Sequence, residues 1–294
     1  LSLLCIGSRA AAEDWPMWRH DAGRGAATAQ ELPADLHPQW VLELPALKTA
    51  WPDQAKMVFD RNYEPVVAGN QLFVPSSLTD SVTAYSTRTG ERNWVFHAEG
   101  PVRFAPIAHG GKVYFVSDDS CLYCLDAKTG KQIWKFLGGP PTRKIVGNGR
   151  LISAWPARGG PVLADSTIYF AASIWPFMGI FIHAVDAETG NSVWTNDGDG
   201  TNYIIQPHGA YSFAGVTPQG ALCVSGDKLL VPSGRSVPAC LDRKTGKQLY
   251  YHHGRRSGGS DVFAVGRLFI NNGAACDLEN GDSCGSLRGP IAFD

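Results

Sequence analysis

A ten-residue phrase returns along this chain. Residues 125–134 read Leu-Asp-Ala-Lys-Thr-Gly-Lys-Gln-Ile-Trp, residues 185–194 and 241–250 follow the same grammar, and residues 85–94 carry a looser copy. The shared core is an Asp, then Thr-Gly, then an aromatic four residues on. It reads Asp126, Thr129, Gly130 and Trp134; Asp186, Thr189, Gly190 and Trp194; and Asp242, Thr245, Gly246 and Tyr250. The earliest copy has Ser86, Thr89, Gly90 and Trp94. The glycines step by 40, 60 and 56 residues. Self-similarity at such a period fixes the architecture before any local propensity does.

Each part of the phrase has a physical task. Residues 121–125 read as a short strand and residues 131–136 as its antiparallel return. Gly130 supplies the positive φ that the tight loop needs. The Asp and Thr side chains can bond the turn's own amides. Trp134 opens an outer strand, where a flat ring can wedge against the next copy. A unit of about 40 residues with four short strands is a propeller blade, and the longer steps are blades with insertions.

The pattern small-x-Asp-x-x-Thr-Gly-x-x-x-Trp after two short strands resembles the tryptophan-docking repeat of the PQQ (pyrroloquinoline quinone) quinoprotein-like β-propellers. That family holds quinoprotein alcohol dehydrogenases. It also holds non-enzymatic relatives, such as the propeller lipoprotein of the outer-membrane barrel-assembly machinery. The resemblance covers residues 38–275 and implies an all-β fold of four-stranded antiparallel blades, with Trp94, Trp134, Trp194 and Tyr250 as structural docking residues. It implies six to eight blades in a closed ring, and PQQ with calcium as the cofactor of the enzymatic members.

With 44% hydrophobic and 18% charged residues, the chain can bury a large core, and 33 glycines with 19 prolines suit a turn-dense all-β chain. A formal net charge of −1 argues against a dedicated nucleic-acid binder. No stretch approaches the ~20 apolar residues of a membrane span. Residues 1–12 read as the remnant of a secretory signal peptide: an apolar run, then Ala10-Ala11-Ala12 before Glu13. An extracytoplasmic location, periplasmic or secreted, is the expectation. Cys121 and Cys124 fall on opposite faces of a strand and read as packing residues, while Cys276 and Cys284 flank a Gly-rich loop and could bridge.

Residues 13–37 read as an N-terminal strap packed on the outside of the propeller, and residues 38–294 as the propeller itself. Residues 39–44, with Trp40, match an outer strand with no inner strands before it. In a ring, such an orphan completes the last blade. Four blades and the start of a fifth follow, so the ring is expected to lack its C-terminal blades.

All elaboration falls on one face, the one that carries the second-to-third-strand loops and the blade-to-blade links. Loops on a rigid scaffold are where function concentrates. These loops hold Arg143, Arg150, Trp155, Arg158, Trp175, His208, Arg235 and Arg255, with Tyr203 and Tyr211 interleaved. They are expected to gather as a basic, aromatic-lined site at the channel mouth, suited to an anion with a flat ring. PQQ qualifies, as does an acidic protein partner or another anionic small molecule.

The sequence places no catalytic set. The adjacent cysteine pair of the family's dehydrogenases is missing, and Leu125 stands where a haem-attachment motif after Cys124 would need His. Residues 197–202 space oxygen ligands as calcium loops do, but no bidentate Glu follows, and no metal site is assigned. The expected function is a ligand-binding or protein-interaction scaffold; the alternative is a PQQ- and calcium-dependent dehydrogenase of alcohols or sugars.

Overall fold

The computed structural model describes residues 13–141, 143–200, 202–205, 209–234, 236–252 and 258–287. The signal-peptide reading of residues 1–12 lies outside them. Strands β1 to β4 (Val66–Ala68, Gln71–Ser76, Ser81–Ser86, Arg92–His97) make the first four-stranded antiparallel sheet. The second is β5 to β8 (Ile107–His109, Lys112–Val116, Cys121–Asp126, Gln132–Leu137). A hairpin, β9 and β10 (Lys144–Gly147, Arg150–Ser153), separates it from blade three, β11 to β14 (Gly159–Ala164, Thr167–Ala172, Phe181–Asp186, Ser192–Asn196). A second hairpin, β15 and β16 (Asn202–Ile205, Tyr211–Ala214), and a short strand β17 (Gly220–Ala221) parallel to β11 come next. Blade four is β18 to β21 (Cys223–Ser225, Lys228–Val231, Ala239–Asp242, Gln248–Tyr250), and blade five is β22 to β25 (Val262–Val265, Leu268–Asn271, Ala274–Asp277, Ser283–Ser286).

The chain is therefore an all-β propeller with five blades among the described residues. The first strands of successive blades touch one another and line the axis: β1 against β5, β5 against β11, β11 against β18, and β18 against β22. The apolar cores lie between blades. Cys121 faces the core shared by blades one and two, and Cys124 faces the core running through blades two to four. Burial pushes both thiols up to about 12, so they are packing residues rather than reactive ones. Cys276 and Cys284 are both free thiols, the first buried and the second exposed.

The repeated phrase builds one device. In blade two, the Thr129 N–H and hydroxyl both donate to Asp126 Oδ1 at 2.8 and 2.6 Å, which closes the turn. The Asp186–Thr189 and Asp242–Thr245 turns close the same way. Each return strand carries a bulge, and the residue paired just before it is the aromatic: Trp94 opposite Ala84, Trp134 opposite Cys124, Trp194 opposite Ala184, Tyr250 opposite Cys240. Each ring then lies over the turn glycine of the following blade. A Cβ on Gly130 would sit 2.6 Å from Trp94, and one on Gly190 would sit 2.7 Å from Trp134. Only glycine accepts both the positive φ and this approach. The Trp94 and Trp194 indole N–H groups donate to the Ala127 and Arg243 carbonyls of the same turns, at 2.9 and 3.0 Å. Trp134 does not, because the Tyr114 hydroxyl takes the corresponding Ala187 carbonyl at 3.1 Å.

One further copy emerges in blade five, and the outer strand expected at residues 39–44 is corrected to an irregular segment that keeps only the docking ring. Residues 38–49 carry no assigned strand, yet Trp40 sits over Gly90 and donates to the Thr87 carbonyl at 2.9 Å, as Trp94 does one blade on. Blade five has the turn Asp277, Asn280 and Gly281, with Tyr250 over the glycine and its hydroxyl on the Leu278 carbonyl at 2.9 Å. At the aromatic's position blade five has Gly285.

The N-terminal segment corrects an expectation. Its residues 15–24 do not pack outside but run along the axis and bond the inner strand of every described blade, while most of residues 28–37 is exposed. Trp15 pairs with Val67 of β1, and the Pro16 carbonyl accepts from Ala108 of β5. The Ala22 and Gly23 carbonyls accept from Val224 of β18 and Ala264 of β22. Arg24 is fully buried and donates to the carbonyls of Trp18, Pro161 and Leu222 at 2.9, 2.8 and 2.9 Å. The inner strands are short and leave an axial gap; a Trp-rich segment fills it.

Trp134→Ala should cost about 3–5 kcal/mol, as buried aromatic truncations do, and Gly190→Ala should drive a methyl into the same ring. Denaturant unfolding of both variants measures this; midpoints matching the wild type would show that the ring contributes nothing across the blade boundary.

Candidate functional site

The face opposite the axial segment's entry is closed by residues 50–61, the link from the Trp40 segment to blade one. This strap reaches across the axis. The Lys56 carbonyl accepts from Ser260 N–H of the blade four-to-five link at 3.1 Å, and Met57 packs at Gly234 beside Gln219 of blade four. Phe59 stacks on Phe104 of the blade one-to-two link, with ring centroids 5.0 Å apart, and the Arg158 guanidinium lies 5.9 Å from the same ring.

Beneath the strap is a buried ionic cluster assembled from four separate loops. Asp118, at the β6–β7 turn, accepts Arg103 Nε at 2.8 Å and a two-point contact from Arg158, Nε at 2.7 Å and Nη2 at 3.0 Å. Asp60 Oδ2 accepts Arg103 Nη1 at 2.6 Å and the Ala50 N–H at 2.8 Å. Two cations and two anions make the cluster neutral. Asp118 and Arg158 are each 1% exposed, so they are compensated by each other and not by water. Burial alone would raise the Asp118 carboxyl, but Arg158 and Arg103 outweigh it and hold it below the ordinary value. Three buried polar atoms here have no partner: Arg158 Nη1, Asp60 Oδ1 and Gln219 Oε1. Each such atom costs about 1–3 kcal/mol if nothing satisfies it.

The expected site residues fall in different places. Arg158 is in this cluster. Arg150 donates to the Ser77 and Leu78 carbonyls at 3.1 and 3.2 Å and pairs with Asp80, which ties β10 to a loop of blade one. Arg143 is exposed. Trp155 donates to the Met178 carbonyl at 2.8 Å, joining its link to the loop that carries Trp175, and Trp175 is part exposed beside Phe177. Tyr203 and Tyr211 are on hairpin β15–β16 with Ile205 and Phe213, where all four share one exposed face. His208, Arg235 and Arg255 lie outside the described residues. Asp60, Arg103 and Asp118 were missed by counting only the cations of the insertions. A signal was available, since Asp118 occupies a second-to-third-strand turn on the same face as the Arg158 link.

Glu64 and Asp261 face the interior as well. Burial pushes the Glu64 carboxyl up to about 8, against the Ala105 N–H, which donates to it at 3.3 Å; Asp261 and Asp60 add to the rise and Arg24 opposes it. Asp261 is also raised by burial.

Successive four-stranded antiparallel blades, five among the described residues, define the class of protein as a β-propeller. A family model described as outer membrane protein assembly factor BamB matches residues 14–173, more than half of the 294-residue chain. The chain belongs to this family of PQQ-repeat propellers. It is also 30% identical over 197 residues to a polyvinylalcohol dehydrogenase of Sphingopyxis sp. (63% of this chain, 28% of that one). It is 26% identical over 247 residues to a tetrathionate hydrolase of Acidithiobacillus ferrooxidans (71% and 48%). The chain thus spans between about a quarter and about half of the length of these relatives. Among solved structures, the quinohemoprotein alcohol dehydrogenase of Comamonas testosteroni matches with a TM-score of 0.62 at 18% identity, over 94% of this chain and 49% of that one, a likeness of fold.

PQQ is a planar tricarboxylate and would need an open slot with several free donors. With the strap seated, the guanidiniums of Arg103 and Arg158 already hold carboxylates, and the buried N–H donors left without a partner there, among the described residues, are those of Arg158 Nη1 and the Trp51 indole. The described residues in this arrangement do not fit PQQ, and no reaction step is derived through it. Among them no group of three or more His, Cys, Asp or Glu could hold a metal ion.

Asp118→Ala should cost about 3–5 kcal/mol, because it strands two buried guanidiniums. Denaturant unfolding measures it, and a loss under about 1 kcal/mol, the worth of a surface pair, would place the cluster in solvent.

Glu64 gives a pH signature. Its folded value lies above its unfolded one, so its contribution to stability is complete below 4.5 and is lost as pH rises through about 8. Glu64→Gln should therefore flatten the fall in melting temperature between pH 4.5 and about 8. Parallel profiles for variant and wild type would contradict the assignment.

Proposed function

We propose that this chain is an extracytoplasmic ligand-binding propeller whose site is the strapped mouth of the axis, and whose ligand is a small anion bearing a carboxylate or similar group. The observation that carries this reading is Arg158: fully buried, held two-point by Asp118, and left with Nη1 unpaired. A guanidinium fixed in that way is pre-organised to accept one more anionic oxygen. The axis is filled from the other end by residues 14–26, so the ligand enters on the strapped face. Arg143, Arg150, Trp155 and Trp175 belong to the same face as rim residues, and His208, Arg235 and Arg255 are proposed to join them there. PQQ is one candidate ligand once the strap is displaced. A scaffold for a protein partner uses the same face, and membership of a family described as an outer membrane protein assembly factor favours that use.

A dehydrogenase acting on alcohols, with PQQ and calcium, is the second reading. Its support is the similarity to a polyvinylalcohol dehydrogenase and the two carboxyls Glu64 and Asp261, both of which burial raises above the ordinary carboxylate range.

Equilibrium dialysis of benzene-1,3,5-tricarboxylate and of PQQ against wild type and Arg158→Lys tests the site. Lys keeps the charge but loses the fork, so affinity should fall about tenfold, the worth of a charge-assisted hydrogen bond. It should also weaken with salt, since screening acts over about 8–10 Å. Equal affinity in wild type and variant would remove Arg158 from the site.

A further inference from the structure

We infer that residues 50–61 are a built-in competitor for the anion site, with Asp60 holding the place of a ligand's carboxylate; this rests on the reading of the mouth proposed above. Asp60 does what an incoming anion would do. Its Oδ2 takes Arg103 Nη1 at 2.6 Å, under a strap that shuts the mouth from solvent. Yet the fit is unfinished. Asp60 Oδ1 and Arg158 Nη1 are both buried and both unpartnered, an acceptor and a donor of one neutral cluster that do not bond each other. A carboxylate evolved only for packing would close on both arginines. One tethered to a strap satisfies Arg103 and falls short of Arg158. A free dianion has no tether and can engage Arg103 and Arg158 together.

The strap is held unevenly along its length. Phe59 is anchored in the core against Phe104, while blades four and five are met through the Lys56 carbonyl on Ser260 N–H at 3.1 Å, the Val58 N–H on Ser260 Oγ at 3.5 Å and Met57 at Gly234. Trp51 carries a buried indole N–H with no acceptor, and Pro52, Asp53, Gln54 and Ala55 are exposed. When the strap lifts, Asp60 leaves with its charge. The remaining Arg103, Arg158 and Asp118 carry one net positive charge, which attracts a ligand anion in place of Asp60. Ligand binding and strap displacement are thereby one equilibrium, and a ligand gains only its advantage over Asp60.

The test uses the whole chain with inorganic sulfate and benzene-1,3,5-tricarboxylate as probes, followed by calorimetry. Asp60→Asn removes the competing charge and should tighten both probes about tenfold, the worth of one charge-assisted hydrogen bond. Phe59→Ala leaves every charge in place and loosens the strap, and it should tighten them in the same direction. In the wild type, either probe should speed tryptic cleavage after Lys56 or Arg61, whereas an uncharged polyol at equal concentration should not. Equal affinity in wild type, Asp60→Asn and Phe59→Ala would overturn the competitor while leaving the anion site intact. Saturable binding in none of the three would overturn the anion site and the competitor with it.

Discussion

The fold depends on an aromatic ring laid over a glycine one blade away. No blade here could stand alone, since its two faces are apolar and each is covered only by a neighbour. The ring sets the angle and spacing at which that covering happens. It needs a turn with no Cβ and a bulge that turns the outer strand to present the side chain, and a turn carbonyl bonds the ring's polar atom in the Trp94, Trp194 and Tyr250 copies. The Asp–Thr clasp fixes the turn before the ring arrives. Sequence spacing is constrained at every step, which is why the phrase stays recognisable while the strands between drift.

That constraint explains what could be read in advance. Blades, strand order and the docking positions follow from Gly90, Gly130, Gly190 and Gly246, because a turn glycine under a ring tolerates no substitute. The fifth copy was harder: Asn280 replaces Thr, and Gly285 replaces the aromatic, so only Asp277 and Gly281 keep the phrase. The axial segment was not legible. Nothing in the spacing of Trp15, Trp18 and Arg24 says which groups they meet, since the inner-strand contacts of this segment span from 52 residues (Trp15 to Val67) to 241 residues (Gly23 to Ala264) and are largely backbone ones. Amphipathic and Trp-rich segments look alike whether they coat a propeller or fill it.

The mouth shows the limit of counting charges by loop. The insertions are cationic, and a basic pocket was the reasonable expectation. The compensating acids come from elsewhere: Asp80 and Asp118 from tight turns, Asp60 from the link before blade one. Each sits on the same face because topology alternates the ends of successive strands. Guanidiniums cannot be buried this deeply without such partners. A reading that located every turn by face, whatever its length, would have put Asp118 against Arg158.

A neutral, buried cluster is the better foundation for a selective site than an exposed basic patch. Arginines in solvent attract any anion weakly and lose that attraction to salt. Here Asp118 immobilises Arg158 by two bonds, so its unpaired Nη1 points in one direction, at no further entropic cost on binding. The axial segment contributes to the same end. By tying the inner strands of all five described blades through residues 14–26, it prevents the loops above them from shearing apart. The four loops that supply Asp60, Arg103, Asp118 and Arg158 hang from those inner strands. Rigidity at one end of the axis is thus what gives the unpaired Nη1 donor at the other end a fixed direction.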